Sequence, residues 1–419
     1  MSEPPPDEGG GRPGFWSPLA RPPVRRLLIA QLPADLADWL DFVAFGALLA
    51  YGFGEGPATL ALLVVAMGLP YVLIGPVAGV LVDRVDLRRA MVLANAGRGL
   101  ATAAVFLAPD AGTAIALAFL KSAADSAFSP ARQAALAVLT PRALLPAANG
   151  LSHAINQATK VAGPALGGVL FLVLVPRQVF LVNAAISGLA LLLALRLPAA
   201  MRAPPAQPGT GSGTGHRFLR EIAAGIAHYR RTPALAVALA GMSAGLFAIF
   251  LYDALIPLLT RALGLGETVF GLAIAAVGLG GVAGSLAIGQ AGERARPLRQ
   301  MALGALLSGA LFALVGHLAA GHLPASGWLL IALFALIGGT TSLMMVPYRV
   351  LLQRETPAAL LGRVTAVGEA VSTMVLLAGP PTGALLAGLG GLPLPFLAGG
   401  YATILVGLGI TLAGTRLRG

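Results

Sequence analysis

The chain has 419 residues, 57% of them hydrophobic and only 11% charged, with a formal charge of +11. A soluble domain carries roughly 25% charged residues, and the apolar runs here reach the ~20 residues that cross a bilayer, so a soluble fold is excluded and a polytopic membrane protein is implied. There is no cysteine, which removes disulfides, thiolate chemistry and cysteine-held metals. The positive charge follows a topology pattern, given below, and does not point to nucleic acid.

Residues 1–26 are rich in Pro and Gly and close on Arg21, Arg25 and Arg26. A disordered cytoplasmic tail is expected there, and with no apolar core before residue 27 no signal peptide is expected. Twelve helices follow, near 27–52, 58–82, 88–108, 112–136, 145–174 and 177–197, then 234–262, 268–291, 298–320, 326–353, 363–388 and 393–415. The fold expected is all-α: twelve transmembrane helices in two pseudo-symmetric six-helix bundles, 27–197 and 233–419, the second ending in a short tail. The interval 198–232 is the linker. Its middle is rich in Pro, Gly, Ser and Thr. Its second part, Arg217 to Arg231, sets Phe218, Ile222, Gly225, Ile226 and Tyr229 at helical spacing among basic residues, as in an amphipathic helix at the inner membrane surface.

With the N-terminus inside, every arginine except Arg98, Arg177 and Arg261 falls in an expected cytoplasmic segment or helix end. That bias places both termini in the cytoplasm and the protein, multi-pass, in the cytoplasmic (inner) membrane. The two halves also repeat. Thr140-Pro141-Arg142-Ala143-Leu144-Leu145 returns as Thr356-Pro357-Ala358-Ala359-Leu360-Leu361, Pro130-Ala131-Arg132 as Pro347-Tyr348-Arg349, and Gly163-Pro164-Ala165-Leu166-Gly167 as Gly379-Pro380-Pro381-Thr382-Gly383. Val77-Ala78-Gly79-Val80-Leu81 returns as Val282-Ala283-Gly284-Ser285-Leu286. A duplicated six-helix unit follows, of the kind found in transporters built from parallel repeats.

The stretch from Gly79 to Arg89 sets an acid and three arginines between two apolar runs. Gly79 allows close backbone approach, Asp83 can cap the following helix, and Arg84, Arg88 and Arg89 mark the cytoplasmic side; an ordinary basic loop is the alternative. This stretch resembles the motif G-x-L-x-D-R-x-G-R-K/R-R of the major facilitator superfamily. Gly79, Leu81, Asp83, Arg84, Arg88 and Arg89 match it, while Asp86 and Leu87 replace the usual Gly and Arg. Gly163-Pro164-Ala165-Leu166-Gly167-Gly168 resembles the G-P-x-x-G-G motif of exporters and antiporters. Ser129-Pro130-Ala131-Arg132, Tyr229-Arg230-Arg231-Thr232-Pro233 and Gln353-Arg354-Glu355-Thr356-Pro357 are similar to the branch of enterobactin exporters and macrolide-efflux pumps. Ala30-Gln31-Leu32 and Ala148-Asn149-Gly150-Leu151 also resemble bacterial lysophospholipid transporters. The resemblance implies alternating access, with the Gly79–Arg89 loop as cytoplasmic latch. It implies proton-coupled export of an amphipathic drug-like or siderophore-like molecule, a lysophospholipid being the alternative.

Charged residues inside membrane helices are costly and mark function by default. Asp35, Asp38 and Asp41 recur every three residues, and Asp38 or Asp41 is read as a proton carrier or substrate contact, or else as a partner for a cation. Lys121 and Asp125 stand at i, i+4 and can pair with each other, as structure or as function. Arg98 is a counter-ion to the first helix or a lock between helices. Lys160 pairs with Asp38 or Asp41, or locks a conformation. Glu369 is a second protonation candidate, and Asp253 is that or a gate. His317 is expected at an interface. The chain has just two lysines, Lys121 and Lys160, and neither follows glycine, so the phosphate loop G-x-x-x-x-G-K-S/T is absent. No nucleophile, base or metal-ligand set is compact enough for an enzyme. The reading is therefore no enzyme, no cofactor and no metal. The expected partners are a small amphipathic substrate, protons and membrane lipids, and the expected state is a monomer.

Overall fold

The computed structural model describes residues 14–75, 85–199, 201–202, 215–290 and 296–416. Among them the chain is helical, with no strand. The first lobe holds α1 (Pro22–Ala47), α2 (Pro57–Leu73), α3 (Leu87–Val105), α4 (Ala111–Leu139), α5 (Leu145–Leu170) and α6 (Pro176–Ala194). After α7 (Gly215–Arg231), the second lobe holds α8 (Pro233–Phe250), its short continuation α9 (Ile256–Ala262), α10 (Glu267–Gln290), α11 (Pro297–Ala319), α12 (Gly327–Glu355), α13 (Ala358–Gly390) and α14 (Pro393–Arg416). With α8 and α9 taken as one span and α7 set aside, twelve helices make two lobes of six.

Local chemistry sets many of the starts. Proline, whose missing N–H would be unpaired anyway, opens α1, α2, α6, α8, α11 and α14. Asp86, Asp110 and Ser326 cap α3, α4 and α12 by accepting from Arg89 N, Thr113 N and Leu329 N at 2.9, 2.8 and 3.2 Å. The repeat extends to backbone angles. Thr140 and Thr356 both end a 29-residue helix in extended conformation, φ −107° and −113°, and each is followed by a proline at ψ 143°. Two starts are displaced by five residues: α1 begins at Pro22, with proline in its first turn, and α13 begins at Ala358 because Pro357 launches a helix through residues expected to lie in a loop.

Seven spans, α6, α8 with α9, and α10 through α14, are long and apolar enough to cross a bilayer on composition alone. The first lobe supplies just one of them. Its helices α1, α3 and α4 carry Asp35, Asp38, Asp41, Arg98, Lys121 and Asp125, charges that lower their hydropathy, and the fold pairs all of them but Asp35 with one another.

Take the near face as the one where the chain enters α1, and the far face as the opposite one. Within the lobes, α1 packs on α5 and α6, α3 on α4 and α6, and α11 on α12 and α14. Between lobes, α5 packs on α10 and α2 on α13. The buried apolar residues form three clusters. One, toward the far face, is shared by both lobes: Phe45, Leu48 and Phe180 pack with Leu255, Phe270 and Phe312. The other two lie toward the near face and each stays within one lobe, around Leu27, Met91 and Phe128 in the first and Tyr229, Met301 and Tyr348 in the second. The lobes are thus fused at the far face and part toward the near face, leaving a cleft. Helix α7 belongs to the second lobe: the Tyr229 hydroxyl lies 3.0 Å from that of Tyr348, and Tyr229 is 4% exposed.

Candidate functional site

Where the cleft narrows, the first lobe gathers its intramembrane charges. Arg98 on α3 is fully buried and donates in three directions: Nη2 to Asp38 Oδ1 at 2.7 Å and to Ala34 O at 2.8 Å, and Nη1 to Asp125 Oδ1 at 2.7 Å. Its guanidinium lies 5.4 Å from the centre of the Phe128 ring. Lys121 on α4 donates to Asp38 Oδ1 at 2.5 Å and sits 3.3 Å from Asp41 Oδ2. Asn183 on α6 donates to Asp41 Oδ1 at 2.5 Å and to Ala37 O at 3.0 Å. Tyr71 on α2 donates to Asp125. Five helices of one lobe therefore meet at one polar knot.

Two features decide what the knot can do. Three carboxylates face two cations, so the fully ionised cluster carries one net negative charge. And Asp38 alone of the five is part-exposed: its side chain is 27% exposed, against 8% or less for Asp41, Arg98, Lys121 and Asp125. Both cations converge on Asp38 Oδ1. A proton or a cationic ligand arriving through the cleft can reach the carboxylate that balances the whole cluster.

The structure separates residues that the sequence spacing puts together. Lys121 and Asp125 do not pair; Lys121 turns to α1, and Asp125 to Arg98 and Tyr71. Asp35 leaves the other two acids and accepts from Gln31 at 2.8 Å and Asn156 at 3.3 Å, in a network that Ser152 and Arg132 complete. Lys160 forms no ion pair with Asp38 or Asp41; its ammonium stands 5.0 Å from the centre of the Trp39 ring, exposed to the cleft. Arg98 bridges α1 and α4, and so is counter-ion and interhelical lock at once. Asp253 lines a small space between the lobes with Phe42, Gly46, Leu63 and Phe270. Glu369, read as buried and alone, is exposed on α13. Among the described residues no group of three or more His, Cys, Asp or Glu could hold a metal.

Around the loop stretch, Asp86 caps α3 in place of Asp83. Arg88 donates to Leu195 O at 2.5 Å, tying α3 to the end of α6, while Arg89 is exposed. Gly79, Asp83 and Arg84 lie outside the described residues. The glycine motif divides its work. A side chain at Gly163 would come within 2.6 Å of Trp39 Cβ, so this glycine with Pro164 seats α5 against α1. Gly167 faces Leu40 and Val43 on α1. Gly168 faces the other lobe, where a Cβ on Gly271 would stand 2.5 Å from its Cα. Two site residues escaped the sequence reading, Tyr71 and Asn183. Asn183 had a usable signal, an amide inside the apolar run of α6; Tyr71 had none beyond its hydroxyl.

Comparison with known proteins fits this geometry. The Major Facilitator Superfamily model matches residues 27–367 and 238–417. An uncharacterised MFS-type transporter of Bacillus subtilis, YfiS, is 29% identical over 402 residues, covering 93% of each chain. Macrolide efflux protein A of Streptococcus pyogenes is 28% identical over 199 residues, 46% of this chain and 47% of that protein. Among solved structures, the nucleoside transporter NupG superposes with a TM-score of 0.72 at 12% identity, covering 94% of this chain and 99% of its own. An inward-facing, unoccupied bacterial homologue of the human lysosomal transporter Spinster gives 0.65 at 14% identity, over 94% and 96%. These two likenesses concern the fold. Two six-helix lobes, the repeated Gly-Pro helices and the match along nearly the whole chain agree: the protein belongs to the major facilitator superfamily.

Proposed function

We propose that the chain is a proton-coupled exporter working by alternating access, with both termini in the cytoplasm and the cleft described here open to that side. The carrying observation is the buried cluster with one acid in excess, reachable through Asp38. A net charge sealed in a low-dielectric interior costs several kcal/mol, so the lobes close readily over the cluster once its charge is balanced. A proton on Asp38 balances it, and so does one positive charge on a bound substrate. Closing over one or the other, and seldom over neither, is the rule an antiporter needs. Trp39 and Phe42 beside Asp38 offer apolar surface, so the matching substrate is an amphipathic, drug-like cation. The partial likeness to macrolide efflux protein A supports this class over a siderophore.

The test is transport in proteoliposomes. A macrolide loaded on the cleft side should move to the far side when the far side is made acidic, and a collapsed pH gradient should stop accumulation. A lysophospholipid belongs in the same experiment as competitor. Accumulation indifferent to the pH gradient would remove the proton from the mechanism.

A further inference from the structure

Arg177 and Arg261, two of the arginines outside the topology pattern, meet at one turn on the far face. Helix α1 does not end as an α-helix. Residues Leu48–Gly52 form a π turn, after which Phe53 N donates to Leu48 O at 2.8 Å and Glu55 N to Leu49 O at 2.9 Å. Those longer steps pass over the Ala50 carbonyl, and a buried carbonyl needs a donor. Arg261, at the end of α9 in the other lobe, supplies it: Nη1 donates to Ala50 O, and Nη2 to Glu55 O at 3.1 Å. In return the Tyr51 hydroxyl crosses into the second lobe, 2.7 Å from Thr260 Oγ1 and 3.0 Å from Leu265 O. Thr260 is fully buried. On the other side of the turn, Arg177 donates to Ala108 O at 2.8 Å and sets its guanidinium 5.5 Å from the centre of the Phe53 ring. The turn is therefore held within its own lobe by Arg177 and gripped across the lobes by Arg261.

We infer that Arg261 and Tyr51 form the far-face gate of this transporter, a reciprocal lock in which Arg261 closes on the Ala50 carbonyl freed by the π turn and Tyr51 closes on Thr260 and Leu265 of the other lobe. Its charged member has no carboxylate partner among these contacts. Separation of the lobes breaks these bonds, and the Glu267 carboxylate lies within electrostatic reach of Tyr51. Each crossing bond exists in the state described here and is lost when the far face opens, so the lock weights the population toward the near-open state. Asp253, Leu63 and Phe270 line the space behind it. The inference rests on the alternating-access reading, but its test needs no substrate.

The chain has no cysteine, so a single Leu63→Cys reports access to that space. An impermeant maleimide is applied to the far face of the reconstituted full-length protein, that face being identified by a control cysteine at the exposed His322. Labelling should be slow in the parent. It should rise about tenfold or more with Arg261→Ala, which deletes two charge-assisted hydrogen bonds, either of which alone carries that weight, and by a smaller factor with Tyr51→Phe, which deletes one oxygen and preserves packing. Parent-rate labelling with Tyr51→Phe overturns the reciprocal lock, and parent-rate labelling in both overturns the gate. Faster labelling in a protein that moves no macrolide keeps the gate and rejects the proposed substrate.

Discussion

Replacing Asp38 with asparagine fixes the charge cluster in its balanced state. The amide oxygen can still accept from Arg98 and Lys121, which reach Asp38 Oδ1 at 2.7 and 2.5 Å. Each bond falls from the ~1.5–3 kcal/mol of a charged acceptor to the ~0.5–1.5 kcal/mol of a neutral one. Neither cation is stranded, because Asp41 and Asp125 remain to balance Lys121 and Arg98. The removed charge was itself unbalanced, which offsets part of the loss, so the folding cost should stay within about 2 kcal/mol. Transport changes far more. Closing over an uncompensated charge costs several kcal/mol, and each ~1.4 kcal/mol is tenfold in population, so the ionised empty cluster closes at least roughly a hundredfold less often than a neutral one. Asp38→Asn removes that barrier. The empty variant should close freely, but a bound cationic substrate now leaves the cluster with one net positive charge, so uphill accumulation driven by a pH gradient should be lost and counterflow of the cation should be slowed and independent of pH. Counterflow and proton-driven uptake, measured side by side in proteoliposomes, decide the matter. Undiminished uphill transport would refute the reasoning, and so would parent-rate counterflow of a cationic substrate.

Arg98→Ala leaves three acids against one cation in a buried site and should destabilise the protein by about 3–5 kcal/mol, read as a lowered unfolding temperature in detergent; Asp125→Asn should cost much less. Gly271→Leu puts a side chain where a Cβ already meets Gly168 Cα at 2.5 Å, so it should wedge α5 from α10, raise far-face labelling of Leu63→Cys, and slow transport by about tenfold or more. A cysteine at His322 should react with an impermeant thiol reagent on intact cells while one at Gly211 should not; the reverse pattern would invert the topology.

The fold was largely legible because its signals are local. Apolar run length, proline at helix starts and the repeated Thr-Pro junctions each act within a few residues, and the helices follow them. The site was half legible. Asp38, Asp41, Arg98, Lys121 and Asp125 stand out because charge is rare in apolar runs, and all five meet. Who pairs with whom was not legible. The i, i+4 spacing of Lys121 and Asp125 suggests a local pair, yet α1 and α3 bring Asp38 and Arg98 closer to each of them than they are to each other. Asp35 looked equivalent to its two neighbours in spacing, but at its place on α1 it accepts from Gln31 and Asn156 instead of from a cation. The far-face lock was visible only as two arginines that broke a rule, since its acceptors are carbonyls and every residue has one.

The two lobes share a backbone and differ in what it carries. Thr140 and Thr356 end their helices at almost the same angles, and Gly163 and Gly379 seat corresponding helices, against Trp39 on α1 and Phe250 on α8. Yet the cluster of five ion-paired side chains lies in the first lobe. In the second lobe, the buried polar groups at corresponding depth are hydroxyls bonded within their own helices, such as Ser308 and Thr403. Such groups are satisfied in every conformation, so they add no electrostatic term that changes as the lobes rock. The division has a mechanical consequence. Under the proposed proton coupling, the first lobe holds the cluster whose charge balance changes, while the second lobe supplies Arg261 to the lock and Asp253, which faces the charge of Lys160, to the space between the lobes. On this proposal protons are exchanged within one lobe, and the far face closes by docking the other against its π turn.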